Sequence, residues 1–262
     1  MRNLFAVITG GSNGIGFELA KQFAENGHDV LIASESDANL ADAAARLAST
    51  GATVTKHASN LATAEGVDGL VAAIRTANRP VDVLYVNAGV GLGGAFVDTD
   101  LTRELSMIDL NVRGAVQLTK PIVKDMVTRG SGKLLFTSSI AATMPDPFEA
   151  VYGATKVFLR WFGEALRNEL KDTGVGVTVL MPGVTETNFF NRADMMDTKA
   201  GASSSKDDPA VVAKAAFDAL QADSDKVLPK LKNKVLGTIA EALPDALAAQ
   251  VHRGMSKPGS AG

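Results

Sequence analysis

An α/β fold on a doubly wound parallel sheet is predicted by two features of this chain. Short runs rich in β-branched and apolar residues alternate with longer segments at helical spacing. Most of the short runs are apolar at nearly every position rather than every second one, the mark of strands covered on both faces. Length sets the scale: 262 residues suit one α/β domain with a large core. Apolar residues make up 46% and charged residues 21%, a globular balance.

The first strand is expected at 5–9. The residues around it look like the start of a leader peptide, but the apolar stretch is too short and runs into Thr9-Gly10-Gly11. A helix follows at 14–26, where Ile15, Leu19, Ala20 and Phe23 recur at helical spacing. Further strands are expected at 30–34, 53–57, 83–87, 133–137 and 175–181, and further helices at 38–49, 63–78, 102–129, 152–172 and 209–222. The strand at 53–57 is more polar, which places it toward an edge. Right-handed crossovers then wind the helices over both faces. Residues 1–229 read as one dinucleotide-binding catalytic domain without an internal repeat or linker. Within it 184–208 read as a lid, with a Ser-rich surface loop at 201–208. Residues 230–256 read as a C-terminal helical extension, because Leu231, Val235, Leu236, Ile239 and Leu243 are spaced as on an amphipathic helix. Residues 257–262 read as a disordered tail.

Composition excludes several classes of function. A net charge of −3 provides no field for nucleic acid or anionic lipid. No apolar run reaches the ~18 to 20 residues that span a membrane. The absence of cysteine excludes disulfides, thiolate catalysis and cysteine metal sites, and fits a reducing cytoplasm. His28, His57 and His252 are far apart and form no ligand motif, so no metal is expected.

The first strand ends in Thr9-Gly10-Gly11-Ser12-Asn13-Gly14-Ile15-Gly16. Glycines at 10, 14 and 16 allow a tight turn, close approach of backbone to a pyrophosphate, and packing of helix on strand. The helix N-terminus adds free N–H groups and partial positive charge. No Gly-Lys-Ser/Thr follows, so a Walker A loop is excluded. The arrangement calls for a Rossmann-like dinucleotide site.

A glycine spacing of this kind resembles the short-chain dehydrogenase/reductase family. Over residues 4 to 190 the chain carries further motifs in that family's order: Asn87-Ala88-Gly89, Asn111, Ser139, Tyr152-Gly153-Ala154-Thr155-Lys156 and Pro182-Gly183. The resemblance implies a soluble NAD(P)-dependent oxidoreductase interconverting a carbonyl and an alcohol. Tyr152 would be the acid/base. A free tyrosine titrates near ~10, and a nearby ammonium lowers that value; Lys156 is one helical turn on, on the same face. By resemblance, Lys156 also bonds the nicotinamide ribose, Ser139 holds the substrate oxygen, with Ser138 the structural alternative, and Asn111 helps hold a water leading from the lysine to solvent. The cofactor contacts implied are Gly10, Ser12, Asn13, Gly14, Ile15, Gly16, Ser34, Glu35, Asn60, Leu61, Asn87, Ala88, Gly89, Tyr152, Lys156, Pro182, Gly183, Val184 and Thr187.

Two departures from the family matter. Asn60 stands where an adenine-contacting aspartate is usual and keeps an acceptor oxygen without the charge. Ser34-Glu35 matches neither the acid usual at the first position for NAD nor the arginine usual at the second for NADP. A 2′-phosphate beside Glu35 lacks a cationic partner, which favours NAD, with NADP the alternative. On the substrate side Met144, Pro145, Phe148, Phe189, Phe190, Met195 and Met196 suggest an apolar small molecule. The family implies a homodimer through the helices near 102–129 and 152–172, with a tetramer left open by the unusual C-terminus. A catalytically silent dinucleotide-sensing or scaffold protein of the same fold is the competing reading. An epimerase or dehydratase would need a substrate domain for which the chain leaves little room.

Overall fold

Runs such as Phe5-Ala6-Val7-Ile8 and Val30-Leu31-Ile32-Ala33 can satisfy their backbone only in a ladder and their side chains only under cover on both sides. The computed structural model describes residues 3–230, 233, 235, 237 and 242–261. It arranges β1 (Leu4–Thr9), β2 (His28–Ser34), β3 (Val54–Ala58), β4 (Val83–Val86), β5 (Gly132–Thr137), β6 (Val175–Leu180) and β7 (Lys226–Val227) as an all-parallel sheet in the order β3-β2-β1-β4-β5-β6-β7. Alternate strand residues feed two separate cores. Ala6, Ile8, Val30, Ile32 and Tyr85 meet α1 (Gly14–Glu25), α2 (Asp37–Ala48) and α9 (Pro209–Gln221) on one face. Val7, Leu31, Leu84, Leu134 and Phe136 meet α3 (Ala64–Thr76), α5 (Ala115–Arg129) and α6 (Ala150–Leu170) on the other. Phe23 of α1 and Phe217 of α9 pack edge to face, 5.4 Å apart.

The polar strand at 53–57 does lie at the sheet's edge, as its exposed Thr55 and Lys56 require. The seventh strand is an addition: two residues at Lys226–Val227 carry no periodicity, yet Met181 N–H donates to Val227 O at 2.8 Å. The helix expected at 102–129 is not uniform either. α4 (Leu101–Ile108) and α5 are joined by a π-helical turn at Asp109–Gly114. Gly114 lets that turn press on the loop after β3, since a Cβ there would collide with Leu61 O.

Short helices α7 (Phe189–Arg192) and α8 (Lys199–Ala202) form the segment after β6. Phe190, Ala193, Met195 and Ala200 make a small core of their own. Met195 is fully buried while Met196 is half exposed, so only one of that pair turns inward. The Ser-rich stretch is less a free loop than its composition suggests: Asp207 is fully buried, accepting from Asn233 Nδ2 at 2.8 Å and pairing with Lys230 at 3.0 Å. Leu231, Leu236 and Ile239, expected on an amphipathic helix, lie outside the described residues. Beyond them α10 (Asp245–Ser256) is helical. The expected disordered tail instead turns back on the lid segment: Gly259 and Ala261 N–H donate to Asp197, and Ser260 Oγ accepts from Lys199 N–H. No described helix is long and apolar enough to cross a membrane.

Candidate active site

Strand order reverses between β1 and β4, each flanked outward by its own half of the sheet, so a crevice opens at their carboxyl ends. The glycine turn fills one side of it. Gly10 and Gly14 adopt positive φ, +66° and +55°. A Cβ on Gly16 would collide with Gly10 O. The Asn87 amide closes the turn from the end of β4, donating to Thr9 O at 3.0 Å. Its carbonyl oxygen accepts from Tyr85 Oη at 2.9 Å and lies 3.1 Å from Thr137 Oγ1. The sequence therefore spends Asn87 on joining β1, β4 and β5.

A cavity of about 300 Å³ runs from this turn to the lid. Every cofactor contact expected from sequence lies on its wall: Gly10, Ser12, Asn13, Gly14, Ile15 and Gly16 from the turn, Ser34 and Glu35 from β2, Asn60 and Leu61 after β3, Asn87, Ala88 and Gly89 after β4, Tyr152 and Lys156 on α6, and Pro182, Gly183, Val184 and Thr187 after β6. Its features suit a dinucleotide. Asn13 leaves the first turn of α1 without a side-chain cap, whereas α2, α3, α4 and α9 are capped by Ser36, Thr63, Asp100 and Asp208. Ser34 Oγ, at the end of β2, is buried without a hydrogen-bond partner among the described residues. Asn60 Oδ1 accepts from Ala62 N–H at 2.9 Å, so its acceptor is already engaged in a local turn.

Ser139, Tyr152 and Lys156 converge on the same cavity. Ser139, two residues past the end of β5, is extended and caps the 3₁₀ turn Ile140–Thr143. Arg160 of α6 clamps that turn by donating to Ala142 O at 3.1 Å. Ser138 donates to Lys156 O at 2.7 Å, a structural bond that leaves Ser139 as the serine beside the phenol. Lys156 Nζ donates to Thr137 O at 3.0 Å and sits 5.6 Å from the Tyr152 ring centre. Asn111 is on the π turn and is not on the cavity wall. Its Nδ2 donates to Val90 O and Thr155 Oγ1, and its Oδ1 accepts from Val90 N–H, all near 3.0 Å. It ties the loop after β4 to α6.

The electrostatics differ from the expectation that Lys156 makes Tyr152 acidic. Burial raises the Tyr152 phenol well above its ordinary value, Glu149 and Asp146 raise it further, and the Ser139 hydrogen bond lowers it. Burial pulls Lys156 down to about 8. At neutral pH the pair is therefore a phenol and a mostly protonated amine, the state of a proton donor.

The substrate end departs from a purely apolar pocket. Met144, Phe189 and Phe190 line it, and Phe189 lies 5.2 Å from the Tyr152 ring. Pro145, Phe148, Met195 and Met196 do not. Glu149, His252, Met255 and Ser256 line it instead. Sequence reasoning missed these because His252 is about a hundred residues from Glu149 along the chain; no local spacing announces the contact.

Comparison with known proteins identifies the family and the fold. The short chain dehydrogenase family profile matches residues 4–197. Dehydrogenase/reductase SDR family member 4 from Bos taurus is 34% identical over 188 residues, 71% of this chain and 67% of that protein. A short-chain dehydrogenase from Sphingobium yanoikuyae in complex with NADPH superposes with a TM-score of 0.82 at 24% identity, over 91% of this chain and 94% of that one. A Burkholderia phymatum short chain dehydrogenase/reductase in complex with NAD gives 0.83 at 23% identity, over 90% and 92%.

Proposed function

The chain belongs to the short-chain dehydrogenase/reductase family, and from the convergence of Ser139, Tyr152 and Lys156 on one cavity we propose that it interconverts a carbonyl and an alcohol with NAD(P). That convergence is the observation that carries the reading. Bound along the glycine turn, the nicotinamide would supply or accept the hydride. Ser139 Oγ would hold the substrate oxygen beside Tyr152 Oη. Tyr152, kept protonated by burial and by its acidic neighbours, would donate its proton to that oxygen in the reducing direction. Lys156 would hold the ribose and stabilise the phenolate left behind. Asn111 acts as a positioning residue through Val90 and Thr155.

NAD is the proposed preference. Glu35 is exposed at the mouth of the cavity, and the cationic side chains on the wall, Lys156, Arg192 and His252, belong to α6, the lid and α10 rather than to the β2 end. A like-charge pair at ~4 Å costs about 4 kcal/mol at an effective dielectric of ~20, and about 1 kcal/mol when exposed to water. The substrate would be a small molecule with an apolar body against Met144, Phe189 and Phe190. A homodimer is proposed through the exposed apolar residues Leu101, Leu105 and Ile108 of α4 and Phe158 and Trp161 of α6. The domain reading is likewise proposed, with 1–229 as the catalytic unit and 230–256 as an extension whose α10 reaches the cavity through His252, Met255 and Ser256.

The test is a titration with NADH and NADPH followed by nicotinamide fluorescence, paired with turnover of wild type and Tyr152→Phe on a ketone panel. Turnover is expected to fall by ~10² to 10⁴ with nucleotide affinity kept. Undiminished turnover in the variant, or failure of the folded protein to bind either nucleotide, would overturn the proposal.

A further inference from the structure

Next to the proposed catalytic tyrosine lies a polar cluster of which the oxidoreductase chemistry uses only the negative charge of Glu149 and Asp146. Asp146 and Glu149 sit in the turn leading into α6, and His252 and Ser256 come from α10. Asp146, Glu149 and His252 are all buried, and one ligand atom from each lies within 4.8 Å of the other two. His252 Nδ1 is 2.6 Å from Asp146 Oδ1 and 3.3 Å from Ser256 Oγ, which donates to Glu149 Oε2 at 2.7 Å.

Two carboxylates and one imidazole leave a surplus of acceptors over protons. The Asp146 side chain is only 2% exposed; its Oδ1 meets His252 Nδ1 at 2.6 Å, and its Oδ2 has no hydrogen-bond partner among the described residues. His252, even when charged, offsets only one of the two buried carboxylates, and a second one left without a cation is costly. Among the described residues nearby, Arg160 is engaged with Glu164 and Ala142 O, Lys156 with Thr137 O, and Arg253 lies over the Phe148 ring. On the other side, Glu149, His252 and Ser256 face the cavity, so an ion has a path in.

We infer that Asp146, Glu149 and His252 form a binding site for one divalent first-row transition ion, with an open coordination position toward the cavity. Metal–ligand bonds of ~2.0 to 2.2 Å place neighbouring ligand atoms about 3 to 4 Å apart, and the three ligand atoms here lie within 4.8 Å of one another. Placing the ion between His252 and Asp146 needs their 2.6 Å contact to open by roughly 0.5 to 1 Å. One nitrogen with two carboxylates suits zinc, manganese or cobalt better than magnesium or calcium, which favour all-oxygen sets. Three protein ligands leave at least one position for water or a substrate oxygen. The ion would also fasten α10 to the start of α6, joining segments that are otherwise remote in sequence. The inference does not depend on the oxidoreductase reading.

The experiment is a titration of chelator-treated protein with Co2+, read by its visible d–d absorption, alongside calorimetry with Zn2+. Wild type should bind one equivalent, with the spectrum of a four- or five-coordinate ion. His252→Asn and Glu149→Gln should each weaken binding by about 100-fold or more, while His57→Asn, remote from the cluster, should leave it unchanged. Circular dichroism and a urea unfolding transition confirm that each variant is folded. Absence of saturable Co2+ and Zn2+ binding by wild type would overturn the inference, as would equal binding by wild type and either cluster variant.

Discussion

Replacing Lys156 with methionine should stabilise the protein while abolishing its activity. The Lys156 amine is buried, and desolvation holds it at about 8 instead of 10.5. At about 1.4 kcal/mol per tenfold change in proton affinity, keeping it charged at neutral pH costs about 3 kcal/mol. Methionine has similar length and no charge, but it leaves Thr137 O without the Nζ donor now 3.0 Å away, a loss of about 1 kcal/mol. The net gain at pH 7 is about 2 kcal/mol, or roughly 4 to 8 °C in Tm. The pH dependence fixes the cause. Between about 8 and 10.5 the unfolded chain binds a proton that the folded chain lacks, so wild-type stability rises with pH across that window. The variant's advantage is therefore full below about 8 and lost by 10.5, where the retained Thr137 bond leaves wild type ahead by about 1 kcal/mol. Urea midpoints of both proteins measured at intervals across that range give the comparison directly. A variant less stable than wild type at pH 7, or a difference that does not change with pH, would refute the desolvation argument.

Three other substitutions test the site from different sides. Gly16→Ala puts a methyl group into Gly10 O and should weaken nucleotide binding at least ~10-fold in a fluorescence titration, with a stability loss of about 1 to 3 kcal/mol. Unchanged affinity would mean that the turn relaxes freely. Glu35→Arg should move the ratio of NADH to NADPH affinity toward NADPH by ~10-fold or more, and a ratio that stays put would place Glu35 outside the ribose contact. Asn111→Leu removes both its donors to Val90 O and Thr155 Oγ1 and its acceptor for Val90 N–H. It should destabilise the protein by about 2 to 4 kcal/mol in urea unfolding and lower kcat more than it raises KM, since Thr155, which it holds, lies on α6 between the proposed catalytic residues Tyr152 and Lys156.

Sequence alone determined the strand-and-helix alternation, because a strand covered on both faces must be apolar throughout and a helix packed on it must repeat at its own period. It likewise determined the glycine turn, the Tyr152–Lys156 spacing and the edge position of the polar third strand, all of which are local patterns. Tertiary structure decided the rest. Lys226–Val227 is a strand only because Val179 and Leu180 of β6 offer it a ladder. The π turn around Asn111 has no counterpart in hydrophobic periodicity, and the close approach of Leu61 O to Gly114 shows what it accommodates. Ser139 is distinguished from Ser138 by the latter's bond to the Lys156 carbonyl. The acidity of Tyr152 follows burial and the carboxylates of Glu149 and Asp146 more than its neighbour one turn away. His252 joins those carboxylates only when α10 folds across the mouth of the cavity. Local spacing reports which face of an element is buried; which charges share that burial depends on contacts between segments that the chain brings together from far apart.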